Sequence, residues 1–280
     1  DVCKYMERLE AASDRVSLRR FGRTYNYREF IQIYISSEKN ISNLEKIREE
    51  HLQLCDPSRS PALETDKMPV IVNLMASVRG NETSGVNAAI LAAYFFAASD
   101  SPQIKEMLEN TIVVITPGLN PDGISRFAHW TNSTASKNKR ADTNGPRQME
   151  PWPSSRTNHY YADCNRDWLS VQHPEGANSV EMYKWWMPNV VLDMHEQGTT
   201  SGFFFSPGDP NRTYSGISQT NQDLTLKIAK NTAAELDKKG ILYFSKESYD
   251  DFYIGKGASY GDLQGSICIL HEQGASYGYL

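Results

Sequence analysis

Apolar and polar positions along this chain alternate with two different periods, and the switches between them mark out its elements. Residues 16–25 and 30–35 carry the two-residue alternation of paired strands and predict a hairpin. Residues 41–54 change to helical spacing, with Ile41, Leu44, Ile47 and the His51–Leu52 pair on one face. Val70-Ile71-Val72-Asn73-Leu74-Met75 is a short, almost continuous apolar run, as expected of a strand buried on both faces. Helices follow at 85–98 and 101–110, the second opening on Ser101-Pro102, a favoured start. Residues 111–116 read as the next strand. Between 117 and 174 periodicity is lost and Gly, Pro, Asn and Ser accumulate; so long an irregular stretch inside a domain usually carries function. A helix at 177–186 leads to the strand Val190-Val191-Leu192, and an amphipathic helix at 224–238 is closed by Gly240. Residues 241–244 and 266–270 are the last strands. Strands alternating with helices predict an α/β fold, one three-layer domain with a mixed, mostly parallel sheet of about eight strands and helices on both faces.

Composition narrows the function. The chain has 280 residues, 39% hydrophobic and 22% charged, so it is an ordinary globular sequence. A net charge of −5 argues against a nucleic-acid partner. The longest apolar stretch, 88–98, falls well short of the ~18 residues of a membrane span. The four cysteines, Cys3, Cys55, Cys164 and Cys268, have neither metal-site nor disulfide-framework spacing, and buried free thiols are expected at Cys164 and Cys268. The first residue is Asp1 rather than Met, which suggests a removed leader or a domain, residues 1–280, cut from a longer chain.

Two polar segments placed straight after apolar runs carry the candidate chemistry. Ser77-Val78-Arg79-Gly80-Asn81-Glu82 follows the Val70 run, and Asp193-Met194-His195-Glu196 follows the Val190 run. Ligands bind beyond the carboxyl ends of strands in open α/β sheets, so Glu82 and His195 are expected on neighbouring strand ends, able to share a cation. Zinc accepts a carboxylate and an imidazole, but a catalytic site takes three protein ligands and keeps one position open. The natural third ligand is position 79, and there stands an arginine, which has no lone pair to donate. The pattern is that of a metallohydrolase with one ligand replaced. His129, His159 and His173, in the irregular stretch, are candidate substitutes, although each is more readily a packing or surface histidine. His271 is expected to point away from its neighbour Glu272 by strand alternation, His51 to be half-buried on its helix, and Phe203-Phe204-Phe205 to form core and pocket wall.

The irregular stretch adds Asn120-Pro121-Asp122-Gly123 and Asp163-Cys164-Asn165-Arg166-Asp167-Trp168. With Arg79-Gly80-Asn81-Glu82, the lone His195 and the late Glu272, these pieces resemble, in order, the motifs of the zinc carboxypeptidase (carboxypeptidase A-like) family. The resemblance runs from about residue 15 to the end, and the stretch 152–160 and the closing Glu272-Gln273-Gly274-Ala275-Ser276 look like a bacterial, Bacteroidetes-type branch. It implies a zinc-dependent enzyme removing C-terminal residues from peptides. Glu82 and His195 would be metal ligands, Glu272 the general base and Arg156 the oxyanion-stabilising cation, with Arg126 as its alternative. Asn165 and Arg166 would grip the terminal carboxylate of a peptide substrate, and Tyr253 would close over it, Tyr260 being its competitor. Asp163 would orient its neighbours rather than touch substrate. The branch implies a secreted or periplasmic protein. Arg79 departs from the family pattern and leaves a second reading open, a peptide-binding relative without catalysis in which Arg79 fills the metal's place. A deacylase of the same fold is a weaker third.

Overall fold

Residues 2–138, 144–198 and 200–274 are described in a computed structural model of the chain. The order begins with helix α1 (Val2–Ala12), the hairpin strands β1 (Val16–Arg23) and β2 (Glu29–Ile35), and helices α2 (Glu38–Ser42) and α3 (Leu44–Leu52). Then come β3 (Val70–Ala76), α4 (Ser84–Ala98), α5 (Pro102–Asn110), β4 (Thr111–Thr116) and α6 (Pro121–Ser133). After the irregular stretch follow α7 (Pro174–Trp186), β5 (Val190–Glu196), β6 (Phe203–Phe205), α8 (Gln219–Lys238), β7 (Tyr243–Phe244), α9 (Gly257–Tyr260) and β8 (Ile267–Gln273).

The strands form one eight-stranded sheet in the order β1-β2-β4-β3-β5-β8-β6-β7. Its centre is parallel, because β4, β3, β5 and β8 are the apolar runs that helices can cover from both sides. The hairpin and the β2–β4 and β6–β8 pairings are antiparallel. On one face Ile33, Ile35, Val113 and Ile115 pack against Met6 of α1, Leu108 of α5 and Ala89, Ala93 and Ala97 of α4. Small residues on α4 let that helix lie close to the sheet. On the other face Tyr34, Ile71, Ile112 and Val114 meet Trp186, and Met75 and Val191 meet Val180, Met182 and Tyr183 of α7. The expected α/β architecture is what the chain adopts.

Several local expectations are corrected. The helix expected over 41–54 is broken at Asn43, whose backbone (φ −115°) closes α2 and opens α3 while its side-chain amide donates to the Lys39 carbonyl. The irregular stretch hides α6, opened by Asn120, whose side-chain oxygen accepts from the Gly123 N–H (3.0 Å), with Pro121 at the first helical position. α1 is an element that the reading above does not include, and Phe203–Phe205 is itself a strand lying between β8 and β7, with Phe204 and Phe205 buried. His51 is buried rather than half-buried, its Nε2 3.0 Å from the Met187 carbonyl oxygen. Cys164 and Cys268 are buried free thiols as expected. No described helix is long and apolar enough to cross a membrane.

Register brings the polar segments together. Ala76 pairs with Met194 and His195 with Glu272, so the loop after β3 and the ends of β5 and β8 lie side by side. That loop is pressed against the start of α6: a Cβ on Gly80 would stand 2.2 Å from the Gly123 carbonyl carbon and 2.3 Å from its Cα. Gly80→Ala is therefore expected to destabilise the fold by about 1–3 kcal/mol, since backbone must move to admit one methyl group. Urea unfolding measures it, and a change below about 0.5 kcal/mol would mean that the two loops are not in this contact.

Candidate functional site

β3 ends at Ala76, and Ser77 turns the chain with a left-handed backbone (φ 52°). The Arg79 carbonyl accepts from the Ser77 hydroxyl (2.8 Å) and from the Glu82 N–H (3.1 Å), a tight turn that aims both long side chains to one side. Glu196, at the end of β5, accepts from the backbone N–H of Ser84 (2.7 Å) and from its hydroxyl (2.5 Å), tying this turn and the start of α4 to the His195 strand.

Within that frame Arg79, Glu82 and His195 form one cluster. Arg79 Nη1 lies 3.2 Å from Glu82 Oε1 and 3.2 Å from His195 Nδ1. His195 Nδ1 is 2.8 Å from Glu82 Oε2, and its Nε2 is 3.1 Å from Asp193 Oδ2. Both imidazole nitrogens therefore face carboxylates. Burial alone would lower the His195 pKa, but Asp193 and Glu82 outweigh it and push it up to about 10, so the ring is an imidazolium. As an imidazolium it sets a positive charge between the two carboxylates, and its contact with Arg79 is a like-charge one that Glu82 bridges. Burial would raise Glu82, yet His195 and Arg79 hold it below the usual carboxylate range. Burial pushes Glu272 the other way, up to about 7.

Hydrogen-bond alignment in the cluster is incomplete. Glu82 Oε2, Asp193 Oδ2, Glu272 Oε2 and Arg79 Nε are buried without an aligned hydrogen-bond partner, although the first two sit at ion-pair distance from His195. Charge proximity, not directed hydrogen bonding, holds those contacts. Glu82 and His195 offer one carboxylate and one imidazole, both already engaged by Arg79, and a guanidinium contributes only positive charge where a third donor is needed. Among the described residues no group of three or more His, Cys, Asp or Glu side chains is arranged to hold a metal ion. The residues present do not fit zinc. None of the loop histidines supplies the missing donor: His159 Nδ1 pairs with the Asn26 amide (3.0 Å), His173 Nδ1 with the Tyr25 hydroxyl (3.2 Å), and His129 is exposed on α6.

The other sequence-predicted residues surround this cluster. Asn165 is buried, its Nδ2 3.4 Å from His195 Nε2 and its Oδ1 accepting from the Gly257 N–H (3.0 Å). Arg166 donates to the Asn165 carbonyl (2.7 Å), and Tyr253 donates its hydroxyl to the Arg166 carbonyl (3.1 Å) with its ring centroid 5.9 Å from the Arg166 guanidinium. Tyr260 packs instead between Trp168 and Tyr183 in the core, which leaves Tyr253 as the tyrosine beside Arg166. Arg156 Nη2 pairs with Asp163 Oδ2 at 3.0 Å, and Arg156 shares with Glu82 the wall of a cavity of about 450 Å³. Burial would raise Asp163, but Arg156, Arg79 and Arg166 around it hold it low. Arg126 spends its guanidinium on the carbonyls of Ser154 (2.8 Å) and Asn158 (3.1 Å) rather than on this cluster. His271 points to the opposite face from Glu272, against the rings of Phe203 and Phe205.

Asp193 and Glu196 are the site-shaping residues that the sequence reasoning did not assign. Alternation along β5 carried the signal for Asp193, since positions 193 and 195 must share a face.

A family profile described as zinc carboxypeptidase matches residues 2–261. Carboxypeptidase D of Rattus norvegicus is 26% identical over 140 residues, 47% of this chain but 10% of that protein. The mouse (Mus musculus) carboxypeptidase D is 26% identical over 124 residues, 42% of this chain and 9% of that protein. The chain thus spans a small part of the length of these curated relatives. Among solved structures, a putative carboxypeptidase A from Shewanella denitrificans superposes with a TM-score of 0.64 at 14% identity, over 98% of this chain and 59% of that one. A metallo-carboxypeptidase from Burkholderia cenocepacia gives 0.65 at 14% identity, over the same shares. At such identities the likeness establishes the fold, and the profile establishes the kinship: the chain belongs to the zinc carboxypeptidase family.

Proposed function

We propose that this chain binds peptide C-termini in a carboxypeptidase cleft whose metal position is taken by the Arg79 guanidinium. The observation that carries the reading is the placement of Arg79 Nη1 at 3.2 Å from both Glu82 and His195, the two residues matching the family's metal ligands. A fixed cation there repels a second one, and it removes the lone pair that a histidine at position 79 would offer. The carboxylate-binding side of the cleft is retained. Arg166 and Asn165 correspond to the pair that grips a terminal carboxylate, an Arg fork suits a carboxylate bidentately, and Tyr253 stands beside them. Arg156, facing the cavity shared with Glu82, is the cation for the last peptide carbonyl.

A second reading, zinc-dependent removal of C-terminal residues, is favoured by Glu272. Its buried carboxylate, raised to about 7, is suited to taking a proton from water near neutral pH. The two readings differ in one measurable property, the affinity for zinc.

Zinc titration by calorimetry should show no saturable site of micromolar affinity in the unmodified chain. Arg79→His should bind zinc roughly a hundredfold tighter or more, because a third neutral donor replaces a repelling charge. Tight zinc binding by the unmodified chain, with release of C-terminal residues from peptides, would establish the second reading instead.

Carboxylate recognition has its own test. A short peptide with a free C-terminus should bind roughly ten- to a hundredfold tighter than its C-terminal amide, the worth of one charge-assisted bond, and Arg166→Met should abolish the difference. Equal binding of acid and amide would contradict the proposed ligand.

A further inference from the structure

Arg156 sits in a segment, residues 154–158, that belongs to no helix or strand, and its neighbour Arg126 is engaged on both ends of that segment. Fixing five such residues costs backbone freedom, so something must hold their carbonyls. Arg126, from the first turns of α6, donates Nη1 to the Ser154 carbonyl (2.8 Å) and Nη2 to the Asn158 carbonyl (3.1 Å). These two carbonyls flank Arg156 symmetrically, two residues before it and two after. Asn120, the residue that caps α6, donates to the carbonyl of Arg156 itself (3.2 Å). The Asn158 side chain then pins the far end: its oxygen accepts from the N–H groups of Tyr160 and Ala162 (both 2.9 Å), and its amide donates to buried Glu175 (3.0 Å).

A planar guanidinium holds two acceptors at a set separation, which a lysine or a glutamine does not. We infer that Arg126 is a positioning residue: by clasping the Ser154 and Asn158 carbonyls it sets where Arg156 presents its guanidinium in the cleft. The Arg156–Asp163 pair (3.0 Å) is then a consequence of loop placement as well as of charge. The inference rests on the reading that the cleft binds peptide C-termini with Arg156 on the last peptide carbonyl, and it adds a residue that touches no ligand.

A double-mutant cycle tests it, with benzoyl-glycyl-phenylalanine as the probe and its dissociation constant as the readout. Arg126→Gln should weaken binding roughly five- to tenfold, the worth of a displaced charge-assisted bond. In an Arg156→Met background the same change should matter less than about twofold, because Arg126 acts through Arg156. Arg126→Lys, which keeps the charge and one of the two bonds, should fall between the unmodified chain and Arg126→Gln, and it serves as the test variant if Arg126→Gln does not fold. An equal loss in both backgrounds, or no loss in either, overturns the proposal. The Arg156 side-chain Nε–H signal, followed by NMR with ¹⁵N-arginine, gives a readout free of peptide. It should broaden or shift to a solvent-exposed position in Arg126→Gln, and an unchanged signal overturns the clasp even if the unmodified chain fails to bind the probe, a failure that would count against the peptide-binding reading alone.

Discussion

Burying Glu82, Asp193, His195 and Glu272 around the carboxyl ends of β5 and β8 sets the constraint on which the site depends: negative charge there must be matched. Unpaired buried charge is costly, and each carboxylate in this cluster retains an oxygen without an aligned hydrogen bond. Arg79 and the proton on His195 answer that demand. Together they bring two positive charges against Glu82 and Asp193, the same charge that a divalent cation brings beside a neutral histidine. Glu272, which burial raises to about 7, adds little negative charge below that pH. On the proposed reading, Arg79 thus keeps the electrostatic balance of a metal site without its coordination chemistry.

The frame around the cluster is rigid for separate reasons. Parallel pairing of β3, β5 and β8 fixes Ala76 beside Met194 and His195 beside Glu272, and Glu196 ties the end of β5 to the start of α4. Gly80 lets the Arg79 turn lie directly on Gly123 at the start of α6. From that same helix Arg126 and Asn120 reach out to the segment bearing Arg156. One helix start thus serves both the turn that carries Arg79 and the segment that bears Arg156.

Much of this was legible in the chain itself. β3, β4, β5 and β8 announce themselves as apolar runs because both of their faces are covered, and the polar residues just beyond them mark the site. Asn120-Pro121-Asp122-Gly123 was legible as a motif and also carried a helix start, Asn before Pro with Ile124, Phe127 and Ala128 following at helical spacing, which the Gly- and Asn-rich surroundings obscured. α1 was legible too, since Val2, Met6 and Leu9 stand at helical spacing and pack on the core, although only Met6 is fully buried. The Arg156–Asp163 pair was foreseeable as an alternative to a cleft-facing arginine, whereas the role of Arg126 depends on carbonyls, which sequence does not label. Asp193 is legible only through strand alternation, which puts it on the same face as His195. The departure at position 79 was plain in the sequence, but only the structure shows how far the guanidinium reaches.

Diffraction from crystals grown in excess zinc, with data collected on both sides of the zinc absorption edge, addresses the central claim most directly. The account predicts no anomalous peak between Glu82 and His195, and density for the Arg79 guanidinium in contact with both. A zinc peak bonded to Glu82 and His195, with Arg79 swung out of the cleft, would contradict it.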